Sequence, residues 1–125
     1  MARNITLLAS AARTATVNTA DVHNATVDGA PIRGVKVTID VTAASATPSV
    51  VFTIQGKDPL SGQYYTVLAS AAKTGISTTV LSVYPGIAAS ANVSANDVMP
   101  TTWRVNCVHA DADSITYTVA ADVLS

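Results

Sequence analysis

The stretch Gly56-Lys57-Asp58-Pro59-Leu60-Ser61-Gly62-Gln63-Tyr64-Tyr65 has the residue types of an anion-binding loop, with small residues to expose backbone N–H groups and a lysine to supply charge. Its spacing argues otherwise. A phosphate-binding P-loop carries Lys and then Ser or Thr directly after its second glycine and leads into a helix. Here Gly62 is followed by Gln63-Tyr64-Tyr65-Thr66-Val67, which is strand composition. Pro59 fixes φ, Asp58 can bond the backbone ahead of it and Gly62 can take positive φ. Residues 56–63 are therefore expected to form the loop of an antiparallel hairpin and to bind no nucleotide.

His109-Ala110-Asp111-Ala112-Asp113 is the best metal candidate, with one imidazole and two carboxylates close together. Zinc enzymes need three protein ligands and calcium six to eight oxygens, and the sequence nominates no further donors. The expectation is that Asp111 and Asp113 form a turn and that His109 ends a strand. Cys107 is expected to face the core with Trp103 and Val105, where a thiol is inert and serves as a small hydrophobe. Asp40 falls on a strand's solvent face and Asp58 in a turn, so nothing pairs them as hydrolase carboxylates. His23 sits in a Thr- and Asn-rich stretch with no nucleophile motif around it. No catalytic, cofactor-binding or metal-ligating residue is assigned, and no enzyme activity or cofactor is expected. Tyr64, Tyr65, Tyr84, Tyr117 and Trp103 are the platforms available to stack on a sugar ring, though most of so few aromatics should be needed in the core.

The elements that must position these residues are strands. In Val35–Thr42, Val35, Val37, Ile39 and Val41 alternate with Lys36, Thr38, Asp40 and Thr42, the pattern of a half-buried strand. Val50, Phe52 and Ile54 alternate likewise, and the chain returns as Tyr64 to Ala69 to complete a hairpin. Ser77 to Tyr84 is a further strand stopped by Pro85-Gly86. Residues 86–101 form a long loop, with one helical turn at most, that crosses between sheets. Trp103, Val105, Cys107 and His109 share one strand face, and Ser114 to Ala121 returns with Ile115, Tyr117 and Val119 aligned, which predicts a second hairpin. Weaker strands are expected at Asn4–Ala9 and Arg13–Val17, with a turn at Asp28-Gly29-Ala30-Pro31. Seven or eight short strands without a convincing helix predict an all-β fold. The expected form is a two-layer antiparallel β-sandwich making a single domain over residues 1–125, with a closed β-barrel as the alternative.

Composition agrees. Every acidic residue is Asp and none is Glu, while Ala, Val, Thr and Ser dominate, a balance that disfavours helix. The net charge of −1 offers no basic field for nucleic acid or for an anionic membrane. Cys107 is the single cysteine, so no intrachain disulfide forms. The apolar part of the N-terminus, Ile5 to Ala9, is shorter than the ~7–15 residues of a signal-peptide core, and no run approaches transmembrane length. The Asn-X-Ser/Thr triplets at Asn4, Asn24 and Asn92 are expected by chance in a chain this rich in Asn, Ser and Thr.

Taken in order, Gly34–Thr42, Ser49–Tyr65, Val83-Tyr84-Pro85-Gly86 and Pro100-Thr101-Thr102-Trp103-Arg104-Val105 resemble a group of small structural proteins of tailed bacteriophages, over residues 33–122. The resemblance implies a non-enzymatic virion component made in the host cytoplasm and placed on the capsid surface as a decoration or cement protein. Its implied partners are the major capsid protein or other virion proteins, in a homo-oligomer or symmetric array. A tail component and a carbohydrate-binding β-sandwich module are the alternatives. Residues 1–31 lie outside the resemblance, and are expected to be either the first strands of the sandwich or an extended N-terminal arm reaching a neighbour.

Overall fold

The computed structural model describes residues 2–23 and 32–124. In chain order the strands are β1 (Ala2–Arg13), β2 (Val17–Asn18), β3 (Val22–His23), β4 (Gly34–Ala44), β5 (Val50–Lys57), β6 (Tyr64–Ala69), β7 (Ser77–Val83), β8 (Ser94–Ala95), β9 (Thr102–His109) and β10 (Ile115–Leu124). No helix occurs among the described residues. The first sheet has the order β1-β10-β4-β7-β8; the second has β2-β9-β5-β6, with β3 also on β9. The two pack face to face as a β-sandwich rather than closing into a barrel, and all pairings are antiparallel except the short one of β7 with β8.

Alternation in the sequence decides which face each strand buries. Val35, Val37, Ile39 and Val41 of β4, with Tyr117, Val119 and Val123 of β10, turn inward from the first sheet and are all but fully buried. Val50, Phe52 and Ile54 of β5 meet them with Trp103, Val105 and Cys107 of β9, each without solvent exposure. Burying such a side chain contributes about 1.5–3 kcal/mol, so the inward rows supply most of the force that holds the layers together. Phe52 and Tyr117 join the sheets edge to face, with centroids 5.0 Å apart and planes at 83°.

The β5–β6 hairpin and the crossing of residues 86–101 between sheets are as expected. Three sequence readings are corrected. Strands β9 and β10 do not form a hairpin: β9 pairs with β5 and β10 with β4, so residues 110–114 arch from one sheet to the other. A turn rich in Asp suits either connection, and the apolar rows on both strands are satisfied by facing each other across the core. Arg13–Val17 is not a strand, since β1 runs on to Arg13 and the chain then crosses to the second sheet at Val17. Residues 86–101 are not wholly irregular: they hold the short strand β8, preceded by a turn in which the Val93 and Ser94 N–H groups donate to the Ser90 carbonyl at 3.1 and 3.0 Å. The Asp28–Pro31 turn lies outside the described residues.

Of the segment offered as first strands or as an arm, residues 2–13 run along β10, and residues 17–18 and 22–23 run along β9. Ile5, Leu7 and Leu8 pack against the core from β1. Register shifts after Thr6 and after Leu8 bulge this edge strand. Thr19 explains why β2 and β3 are separate pieces. Its backbone N–H donates to the Val105 carbonyl at 2.9 Å, but its hydroxyl, which donates to the Ala20 carbonyl at 3.2 Å, accepts from the Val105 N–H at 2.9 Å, so a side chain stands in for one ladder bond between them. Ser70 does the same at the end of β6, accepting from Phe52 N–H at 3.0 Å and donating to the Ala71 carbonyl at 2.8 Å.

Candidate interaction surface

The β5–β6 turn is closely specified by hydrogen bonds. Asp58 N–H donates to the Gln63 carbonyl at 2.8 Å and Gly62 N–H to the Asp58 carbonyl at 2.9 Å. The Asp58 carboxylate accepts from Leu60 N–H at 2.9 Å and from the Ser61 hydroxyl at 2.9 Å, and Ser61 Oγ accepts from Gln63 N–H at 3.2 Å. Gly62 has φ +79°, in the left-handed region that favours glycine. The backbone and Ser61 hydrogen bonds hold the Asp58 carboxyl below its ordinary value. These amides point into the turn rather than out toward a phosphate, and Lys57 is engaged elsewhere. The turn instead presents Leu60, which is 96% exposed.

Lys57 belongs to a cluster on the outer face of the second sheet. Its Nζ lies 3.3 Å from Asp21 Oδ2, and the Tyr64 hydroxyl donates to the same carboxylate at 2.8 and 2.9 Å. Arg104 stacks on the Tyr64 ring with Cζ 3.5 Å from the centroid, while its Nε donates to Gln55 Oε1 at 2.9 Å. Burial raises the Asp21 carboxyl, but the hydrogen bonds from Tyr64 and Lys57 outweigh it and hold the group below its ordinary value. Sequence reading did not find this cluster. Asp21, Gln55, Lys57, Tyr64 and Arg104 are scattered along the chain, and only the pairing of β5 with both β6 and β9 brings them together.

The side chains of His109, Asp111 and Asp113 do not converge on one point. Asp111 Oδ1 accepts from Asp113 N–H at 3.0 Å, as in an Asx turn. Asp113 Oδ2 accepts from the N–H and hydroxyl of Thr47 at 3.2 and 3.3 Å. His109 Nε2 lies 2.9 Å from the Tyr117 hydroxyl. Among the described residues, no group of three or more His, Cys, Asp or Glu side chains is placed to hold a metal ion. Cys107 is buried beside Tyr117, and burial pushes its thiol up to about 11, so it carries little thiolate at neutral pH.

Asp40 accepts from the Thr78 hydroxyl at 3.2 Å on the outer face of the first sheet, in a different layer from Asp58. His23 Nδ1 lies 3.2 Å from Thr102 Oγ1 where β3 meets β9. Among the aromatics, Trp103 and Tyr117 are core residues, Tyr84 packs against Gly34, and Tyr65 covers Gly56 while remaining 49% exposed. An open depression of about 470 Å³ lies where β4, β7 and β10 meet, with Val35, Lys36, Val83, Tyr84, Asp122 and Val123 among its lining residues. Comparison with known protein families, curated proteins and solved structures finds no match.

Proposed function

We propose that the chain is a non-enzymatic structural protein of a tailed-bacteriophage virion, which binds the assembled capsid in many symmetric copies and strengthens it. The observation that carries this reading is the placement of bare apolar surface. Leu60 stands at a fixed turn and Ile76 and Val98 on loops, all at least 70% exposed, and each offers an apolar point at which a partner surface could dock. The resemblance of residues 33–122 to phage structural proteins supports the same reading. Contacts that are weak one by one become strong when many copies bind an array, and a protein that binds only the assembled state stabilises it by mass action.

The test is co-sedimentation of purified protein with shells that lack it, followed by heating of the decorated particles. Saturable binding at a symmetric stoichiometry, a raised disassembly temperature and loss of both in Leu60→Asp are expected. Binding to tail tubes and not to heads would move the protein to the tail.

The cluster around Tyr64 favours one other reading, a carbohydrate-binding module, because it sets an aromatic ring among a carboxylate, a guanidinium and an amide. One ring face is already covered by Arg104 and the hydroxyl is already committed to Asp21, which leaves less of Tyr64 to stack on a sugar. Polysaccharide binding abolished by Tyr64→Ala, with no affinity for shells, would establish that reading in place of the first.

A further inference from the structure

Arg13, Tyr117 and His109 form a stack at the end of the sandwich where β1 crosses to β2 and β9 to β10. From β1, the Arg13 guanidinium lies 4.5 Å from the centroid of the Tyr117 ring. Its Nη1 donates to the carbonyls of Tyr117 at 2.6 Å and Ala11 at 3.1 Å, and its Nη2 to that of Ala9 at 2.6 Å. Tyr117, from β10, is fully buried and reaches His109 of the opposite sheet through its hydroxyl. The His109 ring is 5.9 Å from the Tyr117 ring between centroids, and the His109 N–H donates to Thr16 Oγ1 at 3.1 Å in the crossing from β1 to β2. The titratable and charged groups that face His109 are Arg13 from β1, Tyr117 from β10, Cys107 on its own strand beside Tyr117, and Asp111 from the arch. Asp113 turns instead to Thr47.

We propose that this stack is an acid-operated clasp: protonating His109 sets a second cation against the ring that Arg13 already covers, and residues 9–18 come away from the sandwich while the rest of the core stays folded. The segment is suited to open alone. Residues 9–16 are exposed apart from Arg13, and what holds residues 9–18 is the Arg13 carbonyl bonds, the Thr16 contact, a short run of pairing with residues 115–117 and, at the far end, the two-residue β2 on β9, with Val17 against the core and Asn18 Oδ1 accepting from the Asn106 side-chain amide. Regions with few buried apolar contacts open at a smaller free-energy cost than the whole domain. Burial, and then the charge of Arg13, hold His109 below its ordinary 6.5 against the opposing pull of Asp111, so the folded end prefers the neutral ring. A depressed folded value means that this contribution is complete above 6.5 and is lost as pH falls through the lower folded value. Opening would uncover the edge of β10 at Ile115 to Tyr117, ready to accept another strand.

Hydrogen exchange by mass spectrometry on the full chain, at about pH 7.5 and about pH 5 with intrinsic rates divided out, tests the clasp. Residues 9–18 should exchange at least about threefold faster at the lower pH while β4 and β5 keep their protection, and His109→Gln should remove the difference. No acceleration, acceleration spread over the whole domain, or the same acceleration in His109→Gln would overturn the proposal. Should His109→Gln not fold, NMR titration of the unaltered chain decides. Amide shifts of residues 9–18 that follow the His109 ring support the clasp, and shifts that follow His23 or the carboxylates refute it.

Discussion

Tyr117 and Cys107 lie side by side in the core yet respond differently to substitution and reagent. Tyr117→Phe keeps the ring against Phe52 and under Arg13 but takes the hydroxyl from His109, and should cost about 0.5–1.5 kcal/mol of stability, read as a shift of urea midpoint at unchanged slope. The Cys107 thiol is buried and held as thiol, so a disulfide reagent at neutral pH should label the native chain only as fast as it opens. Labelling within seconds, at the rate seen in denaturant, would mean that β9 is not packed as described. Acid should act on carboxylates below the range in which His109 titrates. Asp21 and Asp58 are both held below the ordinary 3.8, so the stability they contribute is present above 3.8 and fades as pH falls through their folded values. A thermal melt series should show that decline at low pH, and the double variant Asp21→Asn/Asp58→Asn should flatten it.

Strand packing sets which glycines can carry a side chain. A Cβ at Gly34 would lie 2.4 Å from Tyr84 Cδ2 and 2.8 Å from the Val83 carbonyl oxygen, and a backbone oxygen in a paired strand cannot swing aside. Gly34→Ala should therefore destabilise by about 1–3 kcal/mol, whereas Gly75→Ala, with nothing within 4 Å, should be close to neutral in the same unfolding assay. Four long strands were legible because each carries a period-two apolar row: Val35 to Val41, Val50 to Ile54, Trp103 to Cys107 and Ile115 to Val119 all turn inward as the alternation requires. Pairing was not legible to the same degree. The arch after His109 and a hairpin turn call for the same Asp-rich sequence, and what separates them is whether the two apolar rows must sit beside or opposite each other. Strands β2, β3 and β8 escaped notice because two residues carry no period. Thr19, whose hydroxyl replaces a rung of ladder, looks in sequence like any other threonine of a loop. Of the candidate surface, the turn at Asp58 was readable from Pro, Asp and Gly, whereas the Tyr64 cluster was not, because its members meet only through sheet register.

On the scale of the whole molecule, the sheets are tied together at one end by four crossings, from β1 to β2, from β4 to β5, from β6 to β7 and from β9 to β10. Removing residues 2–12 would strip Ile5, Leu7 and Leu8 from the core and bare the edge of β10 along its length. The shortened chain should melt well below the full one and aggregate on heating, and a melt unchanged by the deletion would make β1 dispensable to the fold. The same pairing bears on how the protein is made. β10 lies between β1 and β4, and the contact of Arg13 with Tyr117 spans 104 positions of sequence. On the ribosome, β1 and β4 therefore emerge with their shared partner still unsynthesised, and the first sheet has a gap in its middle until translation has passed β10. The second sheet, with β5, β6 and β9 already exposed, can assemble before the first. Loop-closure entropy then makes insertion of β10 a late and slow step. During that interval β1 must remain soluble with both edges bare, a demand that its bulges and its run of small and polar residues serve as well as they serve the finished fold.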